Sequence, residues 1–264
     1  MVSGWRQTVM VLGCLVVGTT VGITGGDRVI AQPSRVALSL ISLEVSLDAQ
    51  RQAVYRAALE SVSPGESVDA AVLASLRSHP EQTFAMFDGC LQYWVQLNAT
   101  TADPSPEITE FDQQQHYANF PAMADGISIY RLTPTQSLVS IPCWLGPYWV
   151  ATVNYLYTEP ASEPANEPTI TAVTLPTYDR TQRQVVAGTS SMTIGWQNFD
   201  ADSQVLSLSH RYSGAGHCGF QATYQFETQS ETRPETGHFI LTEFREQPDC
   251  ETFSQPNAYP RLYP

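Results

Sequence analysis

The sequence predicts an α+β fold: a helical N-terminal part followed by a predominantly antiparallel β-sheet or sandwich, with two disulfides. Three observations predict it. Apolar residues recur at helical spacing as far as Trp94, apolar and polar residues alternate with period two from Gly126 onward, and an even set of cysteines follows an N-terminal export segment.

The export segment comes first. Arg6 precedes an apolar run from Thr8 to Gly25, a polar break at Gly26-Asp27-Arg28, and Val29-Ile30-Ala31 with a small residue at its exit. A basic start, apolar middle and small-residue exit describe a secretory signal peptide over residues 1–31, cleaved after Ala31. The run is also long enough for an uncleaved anchor, although its glycines and threonines lower its hydrophobicity. In that case this segment is the chain's contact with the membrane. Val11-Leu12-Gly13-Cys14 loosely resembles a lipoprotein cleavage box, but the residues after Cys14 stay apolar, as they do in the middle of a signal peptide.

Residues 32–115 form the helical N-terminal region. Val54, Tyr55, Ala58, Leu59 and Val62 share one helical face, and Pro64-Gly65 ends that run. Ser67 is placed to cap a second helix carrying Ala71, Leu73 and Leu76. His79-Pro80 opens a third, with Phe84, Phe87, Cys90 and Trp94 at helical spacing. The polar, proline-bearing stretch from Thr100 to Gln115 reads as a loop or linker.

Residues 126–264 form the β-rich domain. Ile127–Leu132 and Leu138–Cys143 flank Thr133-Pro134-Thr135 as a hairpin, and Tyr148–Tyr157, apolar on both faces, belongs at the centre of a sheet. Glu159-Pro160, Glu163-Pro164 and Glu167-Pro168 recur every four residues and describe an extended, exposed loop. Strands follow at Thr169–Leu175, Met192–Trp196 and Val205–Tyr212. A last hairpin pairs the strand Phe220–Glu227 with the strand His238–Arg245.

Once Cys14 is removed with the signal segment, Cys90, Cys143, Cys218 and Cys250 remain, and four cysteines allow three connectivities. The final hairpin places Cys218 at its open end beside the stretch that reaches Cys250. The expected bridges are therefore Cys218–Cys250 and Cys90–Cys143.

Composition narrows the function. Mean hydropathy is −0.17 and net charge is −13, as for a water-soluble globular chain. All thirteen basic residues are arginines, so no lysine is available for a P-loop, a Schiff base or a general base. An acidic chain with no basic stripe repels nucleic-acid phosphates, and no nucleic-acid partner is expected. Nothing in the sequence calls for a cofactor.

Five features are weighed for chemistry. Within Ser213-Gly214-Ala215-Gly216-His217-Cys218-Gly219, adjacent His and Cys point to opposite sides of an extended chain, so a disulfide-tied turn fits better than a thiol nucleophile. Asn198, Asp200 and Asp202 alternate like calcium ligands but lack the glycine and glutamate of a calcium loop, and read as a turn. His79, His116, His210, His217 and His238 show no metal-binding spacing; His210, His217 and His238 could still approach one another in space. No metal is expected. Trp144, Tyr148 and Trp149, with Tyr155 and Tyr157, crowd one strand, where they either fill a core or offer a stacking surface. Asn98-Ala99-Thr100 is a glycosylation acceptor only in a eukaryotic secretory pathway.

Tyr130-Arg131-Leu132 followed by Leu138-Val139-Ser140-Ile141-Pro142-Cys143-Trp144-Leu145-Gly146-Pro147-Tyr148 resembles a segment of an uncharacterised bacterial family, catalogued as domain of unknown function 1176. Gly214 through Cys218-Gly219 is similar to that family's glycine-rich turn. Asp249-Cys250 with Tyr259-Pro260 is similar to its closing cysteine and proline-bearing tail. The resemblance covers Gly126 to Pro264. Pro147 and Trp149 stand where the family has alanine and asparagine, and His217 where it has aspartate. The resemblance implies an exported bacterial envelope protein with disulfides, and it supplies no catalytic residues.

The functional expectation is thus a periplasmic or secreted, non-catalytic module that binds a protein or envelope polymer, with Trp144, Tyr148 and Trp149 as its surface. Two alternatives stay open. One is an envelope hydrolase or transferase using paired carboxylates; the other is an enzyme inhibitor acting through the Glu159–Pro168 loop.

Overall fold

The computed structural model describes residues 47–98, 107–160, 167–188, 190–214, 217–228, 237–251 and 255–264, with only the backbone for 93–98. The signal segment with Ala31, the glycosylation acceptor beyond Asn98 and the middle of the Glu-Pro loop lie outside the described residues.

Four helices precede the strands: α1 (Leu47–Ser61), α2 (Ala70–Ser78), α3 (Pro80–Asn98) and α4 (Glu110–Ala124). The first three follow the expected periodicity, with Tyr55, Ala58 and Leu59 of α1 and Val72, Leu73 and Leu76 of α2 turned inward. Asp69 rather than Ser67 caps α2. Its carboxylate accepts from the N–H groups of Ala71 and Val72, both at 3.0 Å, while the Ser67 carbonyl accepts from Ile129 N–H at 2.8 Å. The segment before α2 is thereby stitched to the first strand.

Helix α4 corrects the loop expected at Thr100–Gln115, whose last six residues are helical. A capping box starts it: Asp112 N–H donates to the Thr109 hydroxyl, and the Asp112 carboxylate accepts from Thr109 N–H at 3.0 Å. His116, Tyr117, Phe120 and Ala124 form its buried face. Polar residues on the opposite face of its first turns mask this stripe in a scan for apolar runs.

Two antiparallel sheets follow. The first runs β1 (Ser128–Arg131), β2 (Gln136–Leu145), β3 (Val150–Thr158), β4 (Thr169–Ala172), with the short β7 (Met192–Ile194) sharing the β4 edge of β3. The stretch expected at the sheet centre is indeed flanked on both sides. A small hairpin, β5 (Thr177–Asp179) and β6 (Gln184–Val186), stands apart. The second sheet is ordered β12 (Arg261–Tyr263), β11 (Gly237–Gln247), β10 (Gly219–Thr228), β9 (Val205–Arg211), β8 (Trp196–Asp200).

Alternation along β1–β3 sorts the first sheet into two faces. Ile129, Val139, Ile141, Val153, Tyr155 and Tyr157 join Tyr55, Phe84, Phe87 and Phe120 in a core beneath the helices. Leu138 and Leu156 instead meet Leu206, Leu208, Tyr224, Phe239 and Phe244 in a second core, shared with the other sheet. The result is three layers: helices, first sheet, second sheet.

Both expected disulfides are present. Cys90–Cys143 ties α3 to β2, and Cys218–Cys250 closes the open end of the β10–β11 hairpin. Polar bonds reinforce the first join: the Tyr155 hydroxyl donates to the Met86 carbonyl at 2.9 Å, and the Tyr157 hydroxyl to Ser75 Oγ at 2.7 Å.

Candidate functional site

The space between the sheets is filled by apolar side chains at one end and left open at the other. The open end is a groove of about 220 Å³. Ser128, Tyr130, Ser140, Pro142, Leu145, Val150 and Thr152 of the first sheet form one wall, and Trp196, Gln197, Phe199 and Leu206 of the second form the other. The inward-facing positions that carry Leu138 and Leu156 in the closed half carry Ser140, Thr152 and Asn154 here. Hydroxyls and an amide thus replace aliphatic groups on this part of the sheet face.

The polar groups are joined in one directed network. Thr193 Oγ1 donates to the Thr152 carbonyl at 3.2 Å, an acceptor that fixes the direction of everything upstream. Thr193 Oγ1 then accepts from Asn154 Nδ2 at 3.4 Å and from Gln197 Nε2. This orientation leaves Asn154 Oδ1 to receive the Ser140 hydroxyl proton at 2.8 Å. The Ser140 and Thr193 hydroxyl protons are both used inside the network, and each amide gives one of its two N–H groups to Thr193. Gln197 Oε1 is buried and has no hydrogen-bond partner.

Trp196 stands at the mouth, beside the hairpin tip that carries Tyr148. Trp196 is 54% exposed and Tyr148 47%, joined by a hydrogen bond from the indole Nε1 to the Tyr148 carbonyl at 3.2 Å. Tyr130 and Phe199, which also line the groove, pack at a tilt with ring centroids 4.9 Å apart. Gly214 lies so close under the Tyr148 ring that a Cβ there would come within 2.4 Å of it, and a Cβ at Gly146 would come within 2.7 Å of the Trp149 ring.

The aromatic trio singled out in the sequence is therefore split. Tyr148 and Trp149 sit at the tip of the β2–β3 hairpin and are not among the groove's lining residues, whereas Trp144 lies on the helical side, lining a small hollow with Gln115, His116 and Phe120. A bulge in β2 between Pro142 and Trp144 is the reason. The extra residue keeps Cys143 and Trp144 on the same face, so Cys143 can reach Cys90 while Trp144 is turned from the groove. Trp196, the most exposed of the rim residues, reads from sequence only as a strand end. Its pairing with Tyr148 across 48 positions leaves no local signal.

Other chemistry-bearing groups lie elsewhere. Beneath the helices, Arg51 holds Asp88 through two bonds of 3.1 and 2.6 Å and also approaches Asp48 at 3.6 Å. The Tyr55 hydroxyl donates to Asp88 at 3.0 Å and pairs with His116 Nε2 at 2.9 Å. Asp88's hydrogen bond holds the Arg51 guanidinium more firmly charged, while burial pushes the Tyr55 phenol up and the His116 imidazole down to about 4. The two carboxylates nearest each other here are thus bridged by an arginine.

His210 lies between the rings of Tyr212 and Phe220, with Nδ1 buried and unpartnered, and burial lowers its pKa. It does not approach His238. The two pair with opposite ends of β10, at Phe220 and Glu227. Asp200 accepts from the N–H groups of Asp202 and Ser203, the turn expected there. Among the described residues no group of three or more His, Cys, Asp or Glu side chains could hold a metal ion, and no helix is long and apolar enough to cross a membrane.

These features define a disulfide-stapled, three-layer α+β module with a groove at the open end of its sandwich. Its cystines are of a kind that form and persist in an oxidising environment. The chain belongs to a family described as protein of unknown function (DUF1176), whose model matches residues 61–264, reaching well upstream of the Gly126 boundary of the sequence resemblance. No curated protein and no solved structure matches it.

Proposed function

We propose that this chain is an exported, periplasmic or secreted, non-catalytic binding module that engages an envelope polymer or protein through the groove between its sheets. The observation that carries the reading is an exposed aromatic, Trp196, at the mouth of an open groove between the two sheets. Aromatic faces supply contact area at small entropic cost. Export is supported by the signal-like residues 1–31 and by cystines that a reducing cytosol does not sustain. No charged side chain is among the residues lining the groove, which favours binding over carboxylate chemistry at this place.

Two measurements test it. Fractionation of cells carrying the full chain should recover protein that begins at Gln32 outside the cytoplasm, with four cysteines blocked to alkylation; full-length cytosolic protein with free thiols overturns export. Co-sedimentation with isolated envelope material should retain the wild type and lose the Tyr148→Ala/Trp196→Ala variant. Equal retention of both overturns the groove as the binding surface.

A further inference from the structure

We propose that the β5–β6 hairpin is a lid on the second sheet, latched by Arg180 on Glu246, and that its release opens a site for an organic cation. A guanidinium or ammonium group of another molecule takes Arg180's place there. The site is separate from the groove between the sheets and goes beyond the binding role proposed for it.

The hairpin is built to move as one piece. It makes a two-stranded sheet of its own, and among the described residues no backbone hydrogen bond joins it to either large sheet. An isolated hairpin of this kind is marginal in water, and none of residues 176–188 is buried. Its two ends meet at a narrow neck. Leu175 is buried, and Gly188 lies so close that a Cβ there would come within 2.1 Å of the Leu175 carbonyl oxygen. Three side chains hold the rest down. Tyr178 stacks on Phe244 with ring centroids 5.7 Å apart, Val185 packs against the second core, and Arg180 Nη1 lies 3.2 Å from Glu246 Oε1.

That ion pair is lopsided. Glu246 keeps 2% of its side-chain surface accessible, whereas Arg180 keeps 58%. Glu246 faces inward beside Phe220, its in-register partner in β10, and its Oε1 also accepts from the Tyr212 hydroxyl at 2.5 Å. Its Oε2 is buried with no hydrogen-bond partner. A carboxylate withdrawn from water needs a compensating cation. Among the described residues Arg180 is the one cation paired with it; Arg245, its neighbour on β11, bonds Glu243 on the opposite face. The fixed part of the site is therefore an anion beside aromatic rings, and the cation that satisfies it rides on the part that moves. Once the lid is lifted, a guanidinium or ammonium group from outside meets the same carboxylate and the same rings. A neutral or anionic ligand leaves Glu246 uncompensated.

The test uses the full, disulfide-bonded chain. Amide hydrogen exchange compares the wild type with Arg180→Gln, which keeps a polar side chain and removes its charge. Exchange across 177–186 should quicken about tenfold in the variant while β9–β11 stay as they were. Butylguanidinium and its neutral isostere butylurea are then titrated, with the amide resonances of β9–β11 as the readout. Arg180→Gln should bind butylguanidinium saturably and at least about tenfold tighter than the wild type, whose own arginine competes. Butylurea should saturate neither protein, and this comparison tests the charge on a chain that keeps Glu246. Adding Glu246→Gln to Arg180→Gln should abolish the binding. Unchanged exchange in the hairpin, or equal quickening throughout the second sheet, overturns the latch. Failure of butylguanidinium to saturate Arg180→Gln, or equal binding of butylurea, overturns the cation site. Neither result bears on the groove, whose test is the dependence of envelope co-sedimentation on Tyr148 and Trp196.

Discussion

The indole Nε1 of Trp196 donates to the backbone carbonyl of Tyr148, joining the first residue of the second sheet's edge strand to the hairpin tip of the first sheet. Both residues are about half exposed. A solvent-accessible hydrogen bond exchanges readily with water and contributes little net stability. Trp196→Ala should therefore lower unfolding free energy by no more than about 1 kcal/mol. Urea denaturation followed by far-ultraviolet circular dichroism measures this. A loss of several kcal/mol would make Trp196 an anchor of the sandwich and remove it from the ligand rim.

The two disulfides close loops of 53 and 32 residues. Chain entropy assigns each about 4 kcal/mol, with the longer loop slightly ahead. Cys90→Ala/Cys143→Ala should thus destabilise the chain by about that amount. Because this bridge joins α3 to β2, the loss should appear as earlier exchange of amide hydrogens in the helical layer. Denaturation and hydrogen exchange of the variant, compared with Cys218→Ala/Cys250→Ala, separate the two. Identical exchange patterns in both variants would show that neither bridge is tied to its own layer.

Much of this architecture can be read without coordinates, and the reason differs by element. The β10–β11 hairpin and its disulfide are legible because period-two alternation and the Cys218–Cys250 spacing are local. Helix α4 is not recovered, although Thr109 and Asp112 spell a capping box and His116, Tyr117, Phe120 and Ala124 keep helical spacing. The glutamines between them break any apolar run. The groove is illegible for another reason. Ser140, Thr152, Thr193 and Gln197 come from four different strands, and each alone looks like an ordinary strand hydroxyl or amide. Pairing of β2, β3 and β7 sets the first three side by side, and the crossover at Gly195 brings Gln197 to Thr193. The Trp144 side is lost to a single bulge, which no alternation pattern announces.

Gly195 is the hinge by which β7 in the first sheet becomes β8 in the second. Its φ is +142°, and a Cβ there would lie 2.6 Å from the Ser209 carbonyl oxygen. An L-residue meets both backbone strain and a backbone clash that no rotamer relieves. Gly195→Ala should cost about 2–3 kcal/mol and loosen the groove wall that β8 carries. Thermal denaturation gives the cost. A midpoint equal to wild type would mean that the crossover tolerates an ordinary backbone.

Tyr55 is fully buried and sits between two polar partners, Asp88 and His116. Removing its hydroxyl takes away both bonds and leaves His116 Nε2 without a partner inside an aromatic cluster. Tyr55→Phe should lose about 2–3 kcal/mol. Tyr155→Phe, which gives up a single bond to the Met86 carbonyl, should lose about 1 kcal/mol. Chemical denaturation of the pair tests the ranking, and equal losses would contradict it.

Acid should act on the same cluster through His116. Burial lowers its pKa from 6.5 to about 4, with the nearby Asp88 charge opposing the shift. Between those values the unfolded chain binds a proton that the folded chain refuses, so stability rises with pH across the window. Descending from pH 7, the loss begins near 6.5 and is complete near 4, where both states are protonated. It amounts to about 3 kcal/mol. Asp69 also favours the folded state at neutral pH: burial opposes its ionisation, but hydrogen bonds from Val72 N–H and Arg131 outweigh it and hold its pKa down. That contribution disappears at lower pH, as the carboxylate protonates. His116→Phe separates the two, since it leaves Asp69 and Arg131 untouched. The variant's stability should fall less than the wild type's between pH 6.5 and 4, and parallel curves across that window would show that the imidazole keeps its proton affinity in the fold.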